Sequence, residues 1–300
     1  MLNYEALGYG FLYEDAMLPI ELYAGIKSAW CPGCGNFVLL QAFKQALREL
    51  DLRPQDLVVV SGIGQSSKFP HYLSCNTFNG IHGRTLPVGT GVRLANPDLK
   101  VVCVAGDGDC YGEGGNHLLA AMRRNVDLTL VVHNNQVYAL TKGQASPTTD
   151  QGQKTTLQPQ GVPYTPLAAL ALAVSQGCSW VGRGSATDPE HLKGLYQQAI
   201  THRGLAFLEV LQPCVTFNRV NTYQWYRERV YRVEETPGYD PENELWAYQK
   251  AKEWGERIPI GVIYRHLRPL LEEAHPALQA GPLVRQQPQR DLPQLLADFF

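Results

Sequence analysis

Two apolar runs, residues 100–105 and 128–133, each stop at a cluster of small polar residues. The first ends in Gly106-Asp107-Gly108-Asp109 and the second in Asn134-Asn135-Gln136-Val137. Between them, residues 116–124 read as a helix. A strand, a helix and a strand in this order return both polar ends to the same edge of a sheet. Asp107 and Asn135 lie 28 positions apart in the chain, yet this arrangement makes them neighbours in space.

The same alternation recurs on either side. Residues 57–60 read as a buried strand followed by the turn Ser61-Gly62-Ile63-Gly64, and residues 179–181 and 206–211 as later strands with a helical stretch, 191–201, between them. Continuous β-branched runs separated by helices predict an α/β fold, a parallel sheet covered by helices on both faces. In such sheets ligands bind at the carboxyl ends of the strands, where the polar loops fall. No internal repeat is present.

The polar clusters suit a magnesium diphosphate. Magnesium takes hard oxygen ligands in octahedral geometry and keeps phosphate oxygens among them. Asp107 can supply a carboxylate, Asn135 an amide oxygen and Val137 a backbone carbonyl. Gly106 and Gly108 let the backbone approach phosphates closely, and the following helix directs its free N–H groups to the same place. Gly-Asp and Asn-Asn turns are common loop chemistry when each stands alone. Paired across one helix, they point to a site. The pair resembles the thiamine-diphosphate signature, which implies Asp107, Asn135 and Val137 as magnesium ligands. Gly106, Gly108 and Asp109 fall to the cofactor as well.

With 44% hydrophobic and 18% charged residues among 300, the chain is globular. A net charge of -2 gives no nucleic-acid footprint. No basic segment followed by an apolar core opens the chain, and residues 166–174, its most apolar stretch, are too short to span a bilayer. A soluble, cytoplasmic protein is expected. Its seven cysteines, an odd number, argue against a disulfide framework. Cys103 and Cys178 read as core, and Cys110 lies beside Asp109.

Cys31-Pro32-Gly33-Cys34 allows two thiolates to reach one metal. A zinc knuckle, a redox pair and an iron–sulfur cluster all remain open on spacing alone. A longer series narrows the choice. Trp30-Cys31-Pro32-Gly33-Cys34-Gly35-Asn36, the Ser61–Gly64 turn, His82-Gly83-Arg84, the thiamine signature, the stretch from Leu140 to Thr148 and Leu211-Gln212-Pro213-Cys214 occur in that order. Together they resemble the β subunit of 2-oxoacid:ferredoxin oxidoreductases, over about residues 25–225.

The resemblance implies a 4Fe-4S cluster beside the thiamine, with Cys31, Cys34 and Cys214 as ligands. The family's fourth cysteine falls where this chain has Gln65. Either the fourth ligand is unusual or another cysteine substitutes, and Cys75, in a polar loop ten residues on, is the candidate. The chain then divides into an N-terminal segment (1–24), a thiamine- and cluster-binding domain (25–225), and a C-terminal helical region with an extended tail rich in Pro and Gln from residue 276 (226–300).

The implied reaction is the coenzyme A-dependent oxidative decarboxylation of a 2-oxoacid, with electrons passed to ferredoxin and reversal possible. The Gln65 turn and residues 75–80 look more like the 2-oxoglutarate type than the pyruvate type. Lys68, His82, Arg84 and Lys142 are candidates to meet the anionic substrate. Residues 61–66 are expected to pack on the cofactor. The glutamate that activates thiamine is expected from a separate α subunit in an (αβ)2 assembly. A non-redox thiamine decarboxylase subunit is the competing reading. It shares Asp107 and Asn135 but has no use for the cysteines.

Overall fold

A computed structural model describes residues 18–286 and a helix at Leu292–Ala297. Ten strands occur among them: β1 (Leu57–Ser61), β2 (Asn76–Asn79), β3 (Lys100–Gly106), β4 (Thr129–Asn134), β5 (Val137–Tyr138), β6 (Gln144–Ala145), β7 (Trp180–Ser185), β8 (Ala206–Leu211), β9 (Val230–Arg232) and β10 (Ile258–Arg265). Eight form one sheet in the order β2-β1-β3-β4-β8-β7-β10-β9, while β5 and β6 make a small hairpin. Pairing is parallel from β2 through to β7, and β10 then runs antiparallel to β7.

The helices are α1 (Asn36–Glu49), α2 (Thr85–Ala95), α3 (Gly115–Arg124), α4 (Ala169–Ser175), α5 (Pro189–Thr201), α6 (Tyr223–Arg227), α7 (Glu244–Lys252), α8 (Pro276–Gln279) and α9 (Leu292–Ala297). Alternating residues of each central strand feed two cores. Leu57, Val59, Val102, Val104 and Val131 pack under α1 and α5. Val58, Val60, Val101, Cys103, Leu130 and Val132 pack under α2, α3, α4 and α7. This is why the central strands read as unbroken apolar runs: both faces are covered. In α1 the buried positions Leu39, Leu40, Phe43, Ala46 and Leu47 recur at helical spacing and form one apolar stripe.

The described residues include no helix long and apolar enough to cross a membrane. The C-terminal region departs from expectation. It is not merely helical, because β9 and β10 extend the main sheet. Residues 276–286 form α8 and a 3-10 turn at Leu283–Arg285 in place of an extended chain. Of the expected tail beyond, only α9 lies within the described residues.

β1, β3, β4 and β8 are parallel neighbours, so their carboxyl ends share one edge. Register aligns Gly106 with His133 and Asn134 with Leu211. The loops that leave those ends build the site.

Candidate active site at the carboxyl edge of the sheet

Asp107 and Asn135 line one cavity together with Ile63, Gly64, Gln65, Ser66, His82, Gly106, Gly108, Asp109 and Val137. Asp107 heads a π-helical turn at Gly108–Glu113 that leads into α3. Its side chain is buried, and Oδ2 accepts hydrogen bonds from Ser146 Oγ (2.6 Å) and Thr148 Oγ1 (2.7 Å). Burial pushes its pKa up to about 6, against the pull of those hydroxyls. Among the described residues no Lys, Arg or His forms a salt bridge with Asp107. A buried carboxylate with only neutral donors is a strong site for a cation.

Asn135 stands opposite. Its Oδ1 accepts from the Val137 amide (3.1 Å), and its Nδ2 donates to Gln212 Oε1 (3.0 Å). The turn is strained: Gln136, between Asn135 and Val137, has φ +59°. Its fully buried side chain holds it there, donating from Nε2 to the Thr148 carbonyl and accepting from Tyr226 Oη. Below lies Asn134, which donates to Glu209 Oε2 (3.0 Å); Glu209 is also paired with the buried Arg183 (3.1 Å). Residue types at 134, 136, 146, 148 and 209 thus fix the two oxygen donors.

Several residues expected at the cofactor also make contacts within the protein. Asp109 lines the cavity, but its carboxylate is directed to protein donors: the amides of Ile63 (3.1 Å) and Gly83 (2.8 Å), His82 Nδ1 (2.7 Å) and Thr85 Oγ1 (3.3 Å). It ties three loops together. Gly62 is required because a Cβ there would strike that carboxylate. Ser61 and Gly62 therefore support the site from beneath and do not line it, whereas Ile63, Gly64 and Ser66 do. Ser61 Oγ donates to the Ser67 carbonyl (2.8 Å). Gly108 cannot carry a side chain because the Tyr138 ring occupies the space.

Of the four candidate substrate residues, the structure brings only His82 to the cavity. Its Nδ1–H donates to Asp109, which leaves Nε2 at 3.6 Å from Glu113 Oε2. Arg84 and Lys142 are exposed, Lys142 with φ +78°, and Lys68 is half-buried in the helical turn Ser66–Tyr72.

A second cavity adjoins the first and shares Gln65, Asn135 and Ala139 with it. Cys31, Cys34 and Cys214 line it. They come from a loop before α1 and from the loop after β8, and Gly35 N–H donates to the Pro213 carbonyl (3.2 Å) to close the two loops together. Burial, with Cys214 and Cys31 alongside, pushes the Cys34 thiol up to about 11. Two donors already face sulfur: Gln212 Nε2 to Cys34 Sγ (3.6 Å) and the Phe217 amide to Cys214 Sγ (3.4 Å). Gln212 lines the second cavity and links its Cys34 to Asn135, which lines both.

Cys75 is not in this cavity. It immediately precedes β2, whose first residue Asn76 pairs with Val58 near the amino end of β1. The cysteines at the other cavity lie beyond the carboxyl end of β1, so the strand's length separates them. Cys75 packs against the apolar core beside the Val59 backbone, and burial pushes its thiol up to about 12. Cys103, Cys110 and Cys178 are buried core residues.

Comparison with known proteins agrees with this geometry. Residues 62–210 match the family model of the thiamine pyrophosphate enzyme C-terminal TPP-binding domain. Residues 214–280 match the model for the C-terminal part of the pyruvate ferredoxin oxidoreductase β chain. The 2-oxoacid:ferredoxin oxidoreductase subunit β of Saccharolobus solfataricus is 47% identical over 257 residues, 81% of this chain and 84% of that protein. The 2-oxoglutarate synthase subunit KorB of Methanocaldococcus jannaschii is 40% identical over 188 residues, 63% of this chain and 70% of that one. A solved 2-oxoglutarate:ferredoxin oxidoreductase chain from Magnetococcus marinus, with 2-oxoglutarate, coenzyme A and succinyl-CoA bound, has a TM-score of 0.87 at 31% identity. That match covers 95% of this chain and 97% of that chain. The non-redox decarboxylase reading is not favoured, since these relatives are named as oxidoreductase or synthase subunits. The fold, the thiamine-type site and the identity to curated subunits converge: the chain belongs to the β subunits of the 2-oxoacid:ferredoxin oxidoreductases.

Proposed function

We propose that this β subunit holds magnesium and thiamine diphosphate in the first cavity and a 4Fe-4S cluster in the second, and that its 2-oxoacid is 2-oxoglutarate. The observation that carries the reading is the buried Asp107 carboxylate, paired with no Lys, Arg or His among the described residues, in one cavity with Asn135 and next to a cavity ringed by three cysteines. Asp107, the Asn135 amide oxygen and the Val137 carbonyl would hold the metal. Thiamine diphosphate, held there, would supply the carbanion chemistry for decarboxylation. A cluster on Cys31, Cys34 and Cys214 supplies one-electron steps toward ferredoxin.

The chain's own residues orient and tune. Ser146 and Thr148 fix the Asp107 rotamer, and Gln212 fixes the Asn135 carboxamide. His82, locked by Asp109 through Nδ1–H, would donate to a substrate carboxylate from Nε2 with both ring nitrogens protonated. Arg84 and Lys142 are exposed and do not line the cavity, so they would meet the second carboxylate only if the α subunit drew their loops over the mouth. Lys68 would act only through the turn it supports. Exposed Ile63, Ile81 and Leu140 around that mouth favour burial under the α subunit, which would also bring the activating glutamate. The described cysteines are all free, in keeping with the reducing cytoplasm. An (αβ)2 assembly is the form proposed.

Two results check this. The anaerobic α–β complex, given coenzyme A and a viologen dye, should reduce dye with 2-oxoglutarate at a kcat/KM at least ~10-fold above that with pyruvate, the scale of discrimination that one extra binding group gives. Carbon dioxide release without dye reduction contradicts the redox assignment, and a preference for pyruvate contradicts the substrate. Gln212→Ala should weaken magnesium–thiamine diphosphate binding by roughly 10–100-fold, as loss of a group that orients a metal ligand does. Fluorescence titration of the complex reads this directly.

A further inference from the structure

Three cysteines line the second cavity, and a four-iron cubane has four irons to ligate. The four remaining described cysteines are excluded by position. Cys103, Cys110 and Cys178 are sealed in the core, and Cys75 sits at the far end of β1. Among the described residues no group of three or more His, Cys, Asp or Glu is drawn together closely enough to hold a metal ion, the three cysteines that line this cavity included. The residue that does line this cavity with a free donor is Gln65. Its Oε1 is sequestered from solvent and has no hydrogen-bond partner, which is costly for an amide oxygen. Its backbone is pinned beside the first cysteine, because Trp30 Nε1 donates to the Gln65 carbonyl (2.8 Å) and Trp30 precedes Cys31.

Resting on the cluster reading above, we infer that Gln65 Oε1 completes the ligand set: three thiolates and one neutral amide oxygen. Two consequences follow from that chemistry. An iron held by a hard, neutral oxygen is bound more weakly than one held by thiolate. Ferricyanide should then take one electron from the oxidised cluster, releasing that iron as Fe2+ and leaving an oxidised 3Fe-4S core. Replacing one thiolate by a neutral ligand also makes the cluster one charge unit less negative, so it accepts an electron more readily and its potential lies higher. Gln65 lines the thiamine cavity as well, so an iron that it held would lie toward that cavity.

The test uses the anaerobically purified α–β complex. In the native protein, stoichiometric ferricyanide should produce the near-isotropic paramagnetic resonance signal of an oxidised three-iron cluster, and added Fe2+ with reductant should reverse it. In Gln65→Cys the signal should be absent and the cluster potential lower. Should that variant fail to assemble, Mössbauer spectra of the native protein still decide, with one iron of four distinct from the rest. Resonance spectra in oxygen-17 water should show no exchangeable oxygen on that iron. Four equivalent irons that resist ferricyanide would overturn the inference, and so would a water-derived oxygen coupling. A complex with thiamine but without iron or sulfide would instead overturn the cluster reading itself, and this ligand assignment with it.

Discussion

Replacing Asp107 with Asn should abolish thiamine diphosphate binding while making the empty protein more stable. Orienting groups around a metal ligand are worth 10–100-fold in affinity, so loss of the only carboxylate ligand should cost at least ~100-fold. The stability effect has the opposite sign. Burial raises the Asp107 pKa to about 6 in the folded protein, against 3.8 for an ordinary aspartate carboxyl. The folded state therefore resists ionisation, and the empty protein loses stability as pH rises from about 4 through about 6. The variant escapes that cost, and its advantage near pH 7 should be about 1–3 kcal/mol, shrinking toward zero below pH 4. Thermal melts of the apo complex at both pH values, paired with cofactor titration, measure the two effects together. A variant that still binds magnesium and thiamine diphosphate at native affinity would refute the ligand assignment.

The second large effect belongs to the cysteines. Cys34→Ala should give a complex that lacks iron–sulfur absorbance and reduces no viologen, yet retains thiamine diphosphate binding. Cys34 lines the second cavity and not the first, so its removal leaves Asp107, Ser146, Thr148 and Val137 in place. Gln212 loses one acceptor but keeps its bonds to Asn135 and to the Pro213 carbonyl. Iron and sulfide analysis with the dye assay checks this. A brown, dye-reducing variant would show that the cluster lies elsewhere.

The parts of this site legible in the sequence are those tied to strand ends. Asp107 and Asn135 follow β3 and β4, whose apolar runs are unmistakable because both faces of the sheet are buried. The groups that hold them are not legible. Ser146 and Thr148 reach Asp107 from a loop about forty positions away whose course no periodicity reveals. Glu209 and Arg183 sit at strand positions that look like ordinary interior, and their mutual pairing, with Asn134 and Tyr111 donating to Glu209, explains two charges there. Asp109 reads as a cofactor contact because it lies in the motif, whereas four protein donors claim its carboxylate.

Cys75 misleads for a topological reason. A ten-residue loop can span the gap from Gln65, but β2 runs parallel to β1, so the chain must first return to the amino edge before that strand begins. Cys75 is left on that return path. The final strand, β10, escapes sequence reading because Pro259 and Gly261 interrupt its apolar pattern. It is tolerated near the sheet edge, where Gly261 adopts φ +125° beside the Glu234 carboxylate.

The central claim is that three oxygens of this chain grip a divalent ion on a diphosphate. Crystals of the α–β complex grown with thiamine diphosphate and Mn2+ in place of Mg2+ test it through anomalous scattering. The expected result is one manganese peak about 2.0–2.2 Å from an Asp107 carboxylate oxygen, the Asn135 amide oxygen and the Val137 carbonyl, with diphosphate oxygens completing the octahedron. A diphosphate bound with its metal away from Asp107, or with no metal between Asp107 and Asn135, would contradict the account.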